Sequence, residues 1–240
     1  MVFDLSQKKV VIIGGSSGMG LATAKAADLL GAEVILAGRS QDKLQAAAKE
    51  LTHGAKTQSL DIAQPEQLQA FFEKIGHFDH LLTPGSVVHV GGFTQMPYQE
   101  EHASFDSKFW GQYYAAKYAV PYINLGGSIT LFSGCWGHRP VRGSAIPASI
   151  NGAIEALARA LAVELAPLRV NAICPGIVDT PLFSAMPENE RKAFFEQTAK
   201  SLPVGRVGTP EDVAQTAIYL MVNGYTTGNT VFVDGGDALR

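Results

Sequence analysis

Three glycines near the N-terminus have the spacing of a phosphate-binding turn. Gly14, Gly18 and Gly20 form a G-x-x-x-G-x-G pattern directly after the apolar run 10–13. That run predicts a strand buried on both faces, and the Ala- and Leu-rich segment 21–30 predicts a helix. Glycine permits a sharp reversal close to a ligand, and a helix N-terminus offers unpaired N–H groups to a pyrophosphate. We therefore predict a dinucleotide site, with an ordinary tight turn as the alternative.

The residue after the second predicted strand indicates which dinucleotide binds. Strand Glu33–Gly38 ends without a carboxylate, where a site for NAD(H) usually places an acid against the ribose 2′-hydroxyl. Arg39 follows it, and a guanidinium can bind a 2′-phosphate and stack on adenine. Lys43 lies one helical turn further on. We predict NADP(H) over NAD(H); the alternative is a solvated surface arginine.

A serine, a cysteine and a histidine lie close together in the segment SGCWGH. Ser133 or Cys135 could act as a nucleophile with His138 as its base, which would make the chain a hydrolase. The sequence shows no acid partner for the histidine, and a cysteine in an apolar turn more often packs than reacts. The hydrolase hypothesis therefore ranks below those that use the nucleotide.

Strand-like and helix-like segments alternate along the chain. The predicted strands are 10–13, 33–38, 56–60, 80–83, 128–132, 169–174 and 230–233. The predicted helices are 21–30, 42–51, 64–75, 100–123, 148–165, 184–202 and 210–222. This alternation predicts an α/β fold, a Rossmann-like doubly wound parallel sheet of about seven strands with helices on both faces. We expect one domain over residues 1–240, with its ligands at the carboxyl ends of the strands.

The composition narrows the classes of partner. The 240 residues are 46% hydrophobic and carry a net charge of −3 without a basic block, which argues against nucleic acid and anionic membranes. No run approaches the roughly 18 apolar residues of a membrane span. The start, MVFDLSQKK, lacks the shape of a signal peptide, and Cys135 and Cys174 lack metal-ligand spacing. We expect a cytoplasmic protein with reduced thiols and no metal.

Several motifs, in order, resemble the short-chain dehydrogenase/reductase family over nearly the whole chain. GGSSGMG resembles the family's TGxxxGxG turn, SLDIA its adenine-contacting acid, VRVNAICPGIVDTP its sixth-strand segment, and TGNTVFVDGG its C-terminal end. HLLTPGS stands where the family has an Asn-Asn-Ala-Gly turn. Pro84 and Gly85 keep a turn there, but the two asparagines are absent. The resemblance implies an NADP(H)-dependent oxidoreductase acting on a small carbonyl or hydroxyl compound. The predicted cofactor site comprises Gly14, Ser16, Ser17, Gly18, Met19, Gly20, Arg39, Ser40, Asp61, Ile62, Pro84, Gly85, Pro175, Gly176, Ile177, Val178 and Thr180.

The catalytic segment departs from the family pattern. Family members that reduce ketones use an Asn-Ser-Tyr-Lys set, in which the tyrosine transfers the proton and the lysine lowers its pKa. Ser133 matches the serine, but PASINGAIEAL puts Pro147 at the tyrosine and Asn151 at the lysine, while Lys108 stands at the asparagine. We predict that Ser133 binds the developing oxyanion and that Asn151 hydrogen-bonds the ribose. Lys108 would stabilise the oxyanion or donate the proton; the alternative is an ordinary solvated lysine on a helix.

The resemblance leaves activity and assembly open. A site without the usual proton donor could keep its cofactor, so the alternative to an enzyme is a non-catalytic NADP(H)-binding sensor or regulatory protein. The family usually forms homo-oligomers, dimers or tetramers, through its long helices. The small residues Ala153, Ala156 and Ala160 on one predicted helix suit such close packing.

Overall fold

A seven-stranded parallel sheet forms the centre of the computed structural model, which describes residues 3–240. Met1 and Val2, part of the segment MVFDLSQKK that we expect not to be a signal peptide, lie outside the described residues. The strands are β1 Lys9–Ile13, β2 Glu33–Gly38, β3 Lys56–Ser59, β4 Phe78–Leu82, β5 Ile123–Phe132, β6 Arg169–Pro175 and β7 Thr230–Val233. They lie in the order β3-β2-β1-β4-β5-β6-β7. The chain crosses from β3 to β4 past β1, and this switch point opens a ligand crevice at the carboxyl ends. The predicted α/β, doubly wound sheet is confirmed.

Helices cover both faces of the sheet. They are α1 Gly18–Leu29, α2 Gln41–Ala48, α3 Pro65–Ile75, α4 Tyr98–Phe105, α5 Gly111–Ala119, α6 Ala145–Glu164, α7 Glu188–Ser201 and α8 Pro210–Val222. Alternate residues of β1 pack against the helices on opposite faces of the sheet. Val11 and Ile13 pack with α3, α5 and α6, whereas Val10 and Ile12 pack with α1, α2 and α8. Strand residues alternate faces, so one short strand contributes to both cores.

The helix predicted over 100–123 is not continuous. A π-helical turn, Asp106–Trp110, joins α4 to α5, a short 3₁₀ turn follows α5, and β5 already begins at Ile123. Such π turns are rare insertions that frequently occur at functional sites. At Gly111, directly after the turn, an added Cβ would lie 2.9 Å from a side-chain carbon of Ile62, so glycine lets the helix approach the loop after β3. The π turn contains Lys108.

Helix α6 contradicts the expectation that no segment has the length and composition of a membrane span. By length and composition alone, this described helix could cross a membrane, and 39% of its apolar window is buried inside the fold. Ile150, Ile154 and Ala158 of that helix belong to the core on the α3 side of the sheet. A core helix can pass the same test, so one such helix does not by itself indicate a membrane span.

Candidate nucleotide and catalytic site

The turn between β1 and α1 is closed by backbone packed against backbone. Gly14 has a φ of 100°, and a Cβ there would lie 2.3 Å from Gly85 Cα. A Cβ on Gly20 would lie 2.1 Å from the Gly14 carbonyl oxygen. Any side chain at these positions would collide, so glycine is required for the close approach of the strand, the turn and the helix.

The first turn of α1 provides a cradle for an anion. Ser17 precedes the helix in an extended conformation, makes no side-chain cap hydrogen bond, and is followed by no acidic residue in the first turn. The leading N–H groups of a helix lack intrahelical partners and lie at its positive end. Thr180 faces this turn, because a Cβ added to Gly18 would lie 3.3 Å from Thr180 Cβ. These residues fit a pyrophosphate between α1 and the loop after β6.

The residues predicted for the adenosine end lie beyond β2 and β3. Arg39 is exposed, and none of the salt bridges within residues 3–240 involves it. The hydroxyl of Ser40 accepts a weak 3.4 Å hydrogen bond from the Lys43 N–H and so caps α2. Asp61 accepts a hydrogen bond from the Ala63 N–H at Oδ1, and within residues 3–240 its Oδ2 accepts no hydrogen bond, so it can accept one from an amine. The site therefore offers a cation for a phosphate and an acid for adenine.

The segment after β6 is held in place by a parallel bridge. Val178 pairs with Gly208, whose N–H donates to the Ile177 carbonyl at 2.9 Å. Gly176 donates to the Val233 carbonyl at 3.0 Å, and a Cβ on Gly176 would lie 2.8 Å from a backbone carbon of the next loop. These contacts fix the loop beside the glycine turn; the family resemblance implies that this loop lines the nicotinamide side of the site.

The structure brings the predicted nucleotide residues to one edge of the sheet, because each set follows the carboxyl end of a strand. Gly14, Ser16, Ser17, Gly18, Met19 and Gly20 follow β1; Arg39 and Ser40 follow β2; Asp61 and Ile62 follow β3; Pro84 and Gly85 follow β4; Pro175, Gly176, Ile177, Val178 and Thr180 end or follow β6. This shared edge is the crevice formed at the switch point between β1 and β4.

The predicted catalytic residues meet in a single cluster. The Lys108 ammonium donates to Asn151 Oδ1 at 2.7 Å and to the Ser133 carbonyl oxygen at 3.0 Å. Ser133 and Asn151 are buried, and the Ser133 hydroxyl donates to the Ile173 carbonyl at 3.3 Å. Lys108 and Asn151, which exchange the residue types expected at their two positions, are thus in direct contact across the site.

Burial changes the acidity of Lys108. Loss of solvent around the ammonium disfavours its charge and lowers the pKa of Lys108 to about 8, while nearby Cys174 acts in the opposite direction. The carbonyl oxygens of Asn151 and Ser133 accept hydrogen bonds from the charged form and keep it oriented. A lysine with this pKa can exchange a proton near neutral pH, as a general acid must.

Gln112 is a site residue that the sequence analysis missed. Its side-chain oxygen accepts from the Thr83 hydroxyl at 2.7 Å and from the Phe132 N–H at 2.8 Å. Its amide nitrogen donates to the carbonyls of Lys108 and Phe132, at 2.9 and 3.0 Å. This fully buried amide ties the π turn to β4 and β5. The only signal in the sequence is an amide one helical turn after Lys108, within an otherwise apolar face.

Pro147 occupies the position at which the resemblance places a tyrosine. It is buried in the first turn of α6, where its missing N–H leaves no intrahelical hydrogen bond unmade. The side chain carries no proton to donate, and the sequence contains no tyrosine between Tyr122 and Tyr219. Pro147 itself can transfer no proton, whereas Lys108, in the π turn before α5, contacts Asn151 of the same helix as Pro147.

The geometry disfavours the hydrolase hypothesis. His138 has the acid partner that the sequence did not reveal, because its Nε2 lies 2.7 Å from Glu155 Oε2. Within the described residues, His138 makes no hydrogen bond to the Ser133 hydroxyl or to the Cys135 thiol. A hydrogen bond with Cys174, together with burial, holds the pKa of Cys135 far above its ordinary value. The contact between nucleophile and base is missing, and the thiol stays protonated.

Comparison with known proteins places the chain in a family. Residues 14–237 match the family model described as enoyl-(acyl carrier protein) reductase. The short-chain dehydrogenase/reductase ATR9 of Stachybotrys chlorohalonatus is 35% identical over 97% of this chain and 98% of its own length. A crystal structure of a small-chain dehydrogenase in complex with NADPH is 36% identical, with a TM-score of 0.85 over 97% of this chain and 99% of that one. The MalC reductase/Diels-Alderase from Malbranchea aurantiaca is 27% identical, with a TM-score of 0.91 over 98% and 97% of the two chains. The chain therefore belongs to the short-chain dehydrogenase/reductase family of oxidoreductases.

Proposed function

We propose that this oxidoreductase uses NADP(H) on a small carbonyl or hydroxyl compound, with Lys108 as its proton donor. The observation that carries the proposal is the position of the Lys108 ammonium, between Asn151 Oδ1 at 2.7 Å and the Ser133 carbonyl oxygen at 3.0 Å. This cation lies on the helix facing α6, whose own positions supply a proline and an asparagine instead of a tyrosine and a lysine. The cation and the amide have exchanged helices and remain in contact.

The residues at the sheet edge fit NADP(H) along its length. The N-terminus of α1 would hold the pyrophosphate, and the guanidinium of Arg39 would bind the 2′-phosphate without a competing acid at the end of β2. Asp61 would accept from the adenine amine, and Thr180 would contact the nicotinamide side. The NADPH bound in the related crystal structure supports this assignment, since that protein is 36% identical over nearly its full length.

The chain's own residues handle the proton and the substrate oxygen. NADPH, when bound, supplies the hydride that reduces the carbonyl carbon. The Ser133 hydroxyl would turn from the Ile173 carbonyl, to which it donates in the free chain, and would donate to the substrate oxygen as negative charge develops there. Lys108 gives one proton from Nζ to that oxygen and becomes a neutral amine, a change that its burial favours. Asn151 positions the ammonium, and Gln112 holds the backbone that carries it.

The pH dependence of reduction should follow the ionisation of Lys108. Only the ammonium can donate, and burial lowers the pKa of Lys108 to about 8. We expect kcat/KM for carbonyl reduction to be level below about pH 7.5 and to fall about tenfold per pH unit above about pH 8.5. Initial rates of NADPH oxidation between pH 6 and pH 10 measure this. A fall that begins only near the pKa of an ordinary lysine, about 10.4, would contradict the assignment.

The proposed activity is tested in two steps. Titration of the protein with NADPH, followed by the fluorescence of the coenzyme, should show saturable binding that is tighter than for NADH. The absorbance of NADPH is then followed with a panel of small ketones, aldehydes and activated alkenes. We expect weak turnover of ordinary ketones, because loss of a tyrosine acid typically lowers rates by about 10²–10⁴. Binding without turnover of any compound would instead support the alternative, a non-catalytic NADP(H)-binding sensor or regulatory protein.

The same proposal includes the setting in which the enzyme works. The chain would function as one NADP-binding domain over residues 1–240, in the cytoplasm, as a dimer or tetramer. Ala156 and Ala160 support assembly through α6, because they lie exposed on its outer face and allow close helix packing. Ala153, the third small residue predicted for this face, is partly buried instead. The net charge of −3 gives no attraction for nucleic acid or anionic membranes.

A further inference from the structure

Three side chains that could bind a metal ion form a cluster that the proposed mechanism does not use. His138 follows β5, Glu155 lies on α6, and Cys174 lies in β6. One nitrogen, oxygen or sulfur atom from each lies within 4.8 Å of the other two. Glu155 and Cys174 are buried, whereas the imidazole of His138 is 39% exposed. The folded chain therefore brings together donors that are 17 to 36 positions apart in sequence.

The carboxylate of Glu155 is only half satisfied in this position. Its Oε2 lies 2.7 Å from His138 Nε2, but within the described residues its Oε1 is buried and has no hydrogen-bond partner. The residue is 5% exposed, so solvent does not replace that partner. Burying an ionised carboxylate is costly unless its oxygens are compensated. The contact with His138 leaves this oxygen without a partner, whereas a cation bound at Oε1 would satisfy it.

We propose that His138, Glu155 and Cys174 bind a Zn²⁺ ion. An imidazole nitrogen, a carboxylate oxygen and a thiolate sulfur are the three ligand types that zinc takes in proteins, at about 2.0–2.3 Å. The thiolate disfavours Mg²⁺ and Ca²⁺, which prefer oxygen ligands alone. The proposal differs from our expectation of no metal, which considered only the spacing of the cysteines along the sequence.

Modest movements would close the site around the ion. Tetrahedral ligands at zinc distances lie about 3.3–3.8 Å apart, somewhat closer than the 4.8 Å limit of the cluster. His138 ends a short 3₁₀ turn and is partly exposed, so it can rotate towards the ion and admit it from solvent. The fourth position would be taken by water, as in zinc sites with three protein ligands.

The test uses the full chain, kept reduced and freed of metal with a chelator. Titration with Co²⁺ alone should give one binding event per chain and an absorption band from a thiolate bound to cobalt, and Zn²⁺ should abolish the band. We expect Cys174→Ser to remove the band, and His138→Ala and Glu155→Gln to weaken binding at least tenfold. His89→Ala is the matched control, because His89 has the same 39% exposure and lies 3.7 Å from Glu100 but, among the described residues, belongs to no cluster of three metal-binding side chains. It should bind like the unmodified chain.

Two results would overturn the site. One is cobalt binding without a thiolate band in the unmodified chain, which would indicate surface coordination only. The other is affinity that falls equally in His138→Ala and in the control. If Cys174→Ser or Glu155→Gln fails to fold, His138→Ala still tests the site, because its side chain is partly exposed. The shift in Tm that Zn²⁺ produces is an independent measurement. That shift should be present in the unmodified chain and lost in His138→Ala, since a metal that binds only the folded state stabilises it.

Discussion

The Lys108→Met variant is expected to reduce a carbonyl substrate about 10²–10⁴ times more slowly than the unmodified enzyme, the range typical for loss of a general acid. Methionine keeps most of the volume of the side chain but removes the ammonium that lies 2.7 Å from Asn151 and 3.0 Å from the Ser133 carbonyl. The effect should fall on kcat, because the proton is transferred in the chemical step. NADPH affinity should change little, and steady-state rates together with a fluorescence titration separate the two quantities.

Lys117→Met is the matched control for this experiment. Lys117 lies on α5, nine residues after Lys108, and is exposed, with its ammonium 5.9 Å from the centre of the Tyr114 ring. It carries the same charge without contact to the catalytic cluster, so its loss should leave kcat within about twofold. Equal rates in the two variants would show that net charge, not the position of Lys108, matters, and the assignment of the proton donor would be wrong.

The pairing of Lys108 with Asn151 illustrates which part of the site the sequence could predict. The family resemblance predicts a lysine where the pattern has an asparagine and an asparagine where it has a lysine, but the two positions are 43 residues apart. Lys108 makes this contact from within the π turn. One five-residue π turn is too short to change the apolar pattern of the helix around it, so the pattern over 100–123 predicts a single helix and cannot locate the turn.

The sheet was predictable for a different physical reason. Its central strands are buried on both faces, so they appear as short apolar runs, and glycine or proline ends several of them. Gln112 and Glu155 were missed because they are polar residues inside helices, where sequence alone does not distinguish a buried hydrogen-bonding group from a solvated one. The structure identifies them by their partners: four hydrogen bonds for Gln112, and His138 for Glu155.

The Arg39→Ala variant is expected to bind NADPH about 10–100 times more weakly and to bind NADH almost unchanged. Hydrogen bonds to a charged group contribute about 1.5–3 kcal/mol, and each 1.4 kcal/mol is about tenfold in Kd. Arg39 is exposed, so solvent and salt screen its attraction for the 2′-phosphate, which places the effect towards the lower end of that range. Fluorescence titrations with both coenzymes, at low and high NaCl, give four Kd values for each protein.

The salt series separates phosphate recognition from a general loss of structure. If the guanidinium binds the 2′-phosphate, added NaCl should weaken NADPH binding more in the unmodified enzyme than in Arg39→Ala, because the variant has lost the screened interaction. Arg142→Ala, which removes another exposed arginine, controls for net charge and should leave both coenzymes bound as before. A parallel loss of NADPH and NADH affinity in Arg39→Ala would mean that Arg39 supports the shape of the site instead of reading the phosphate. The preference for NADP(H) would then require another cation, and Lys43 in the first turn of α2 would be the next residue to replace.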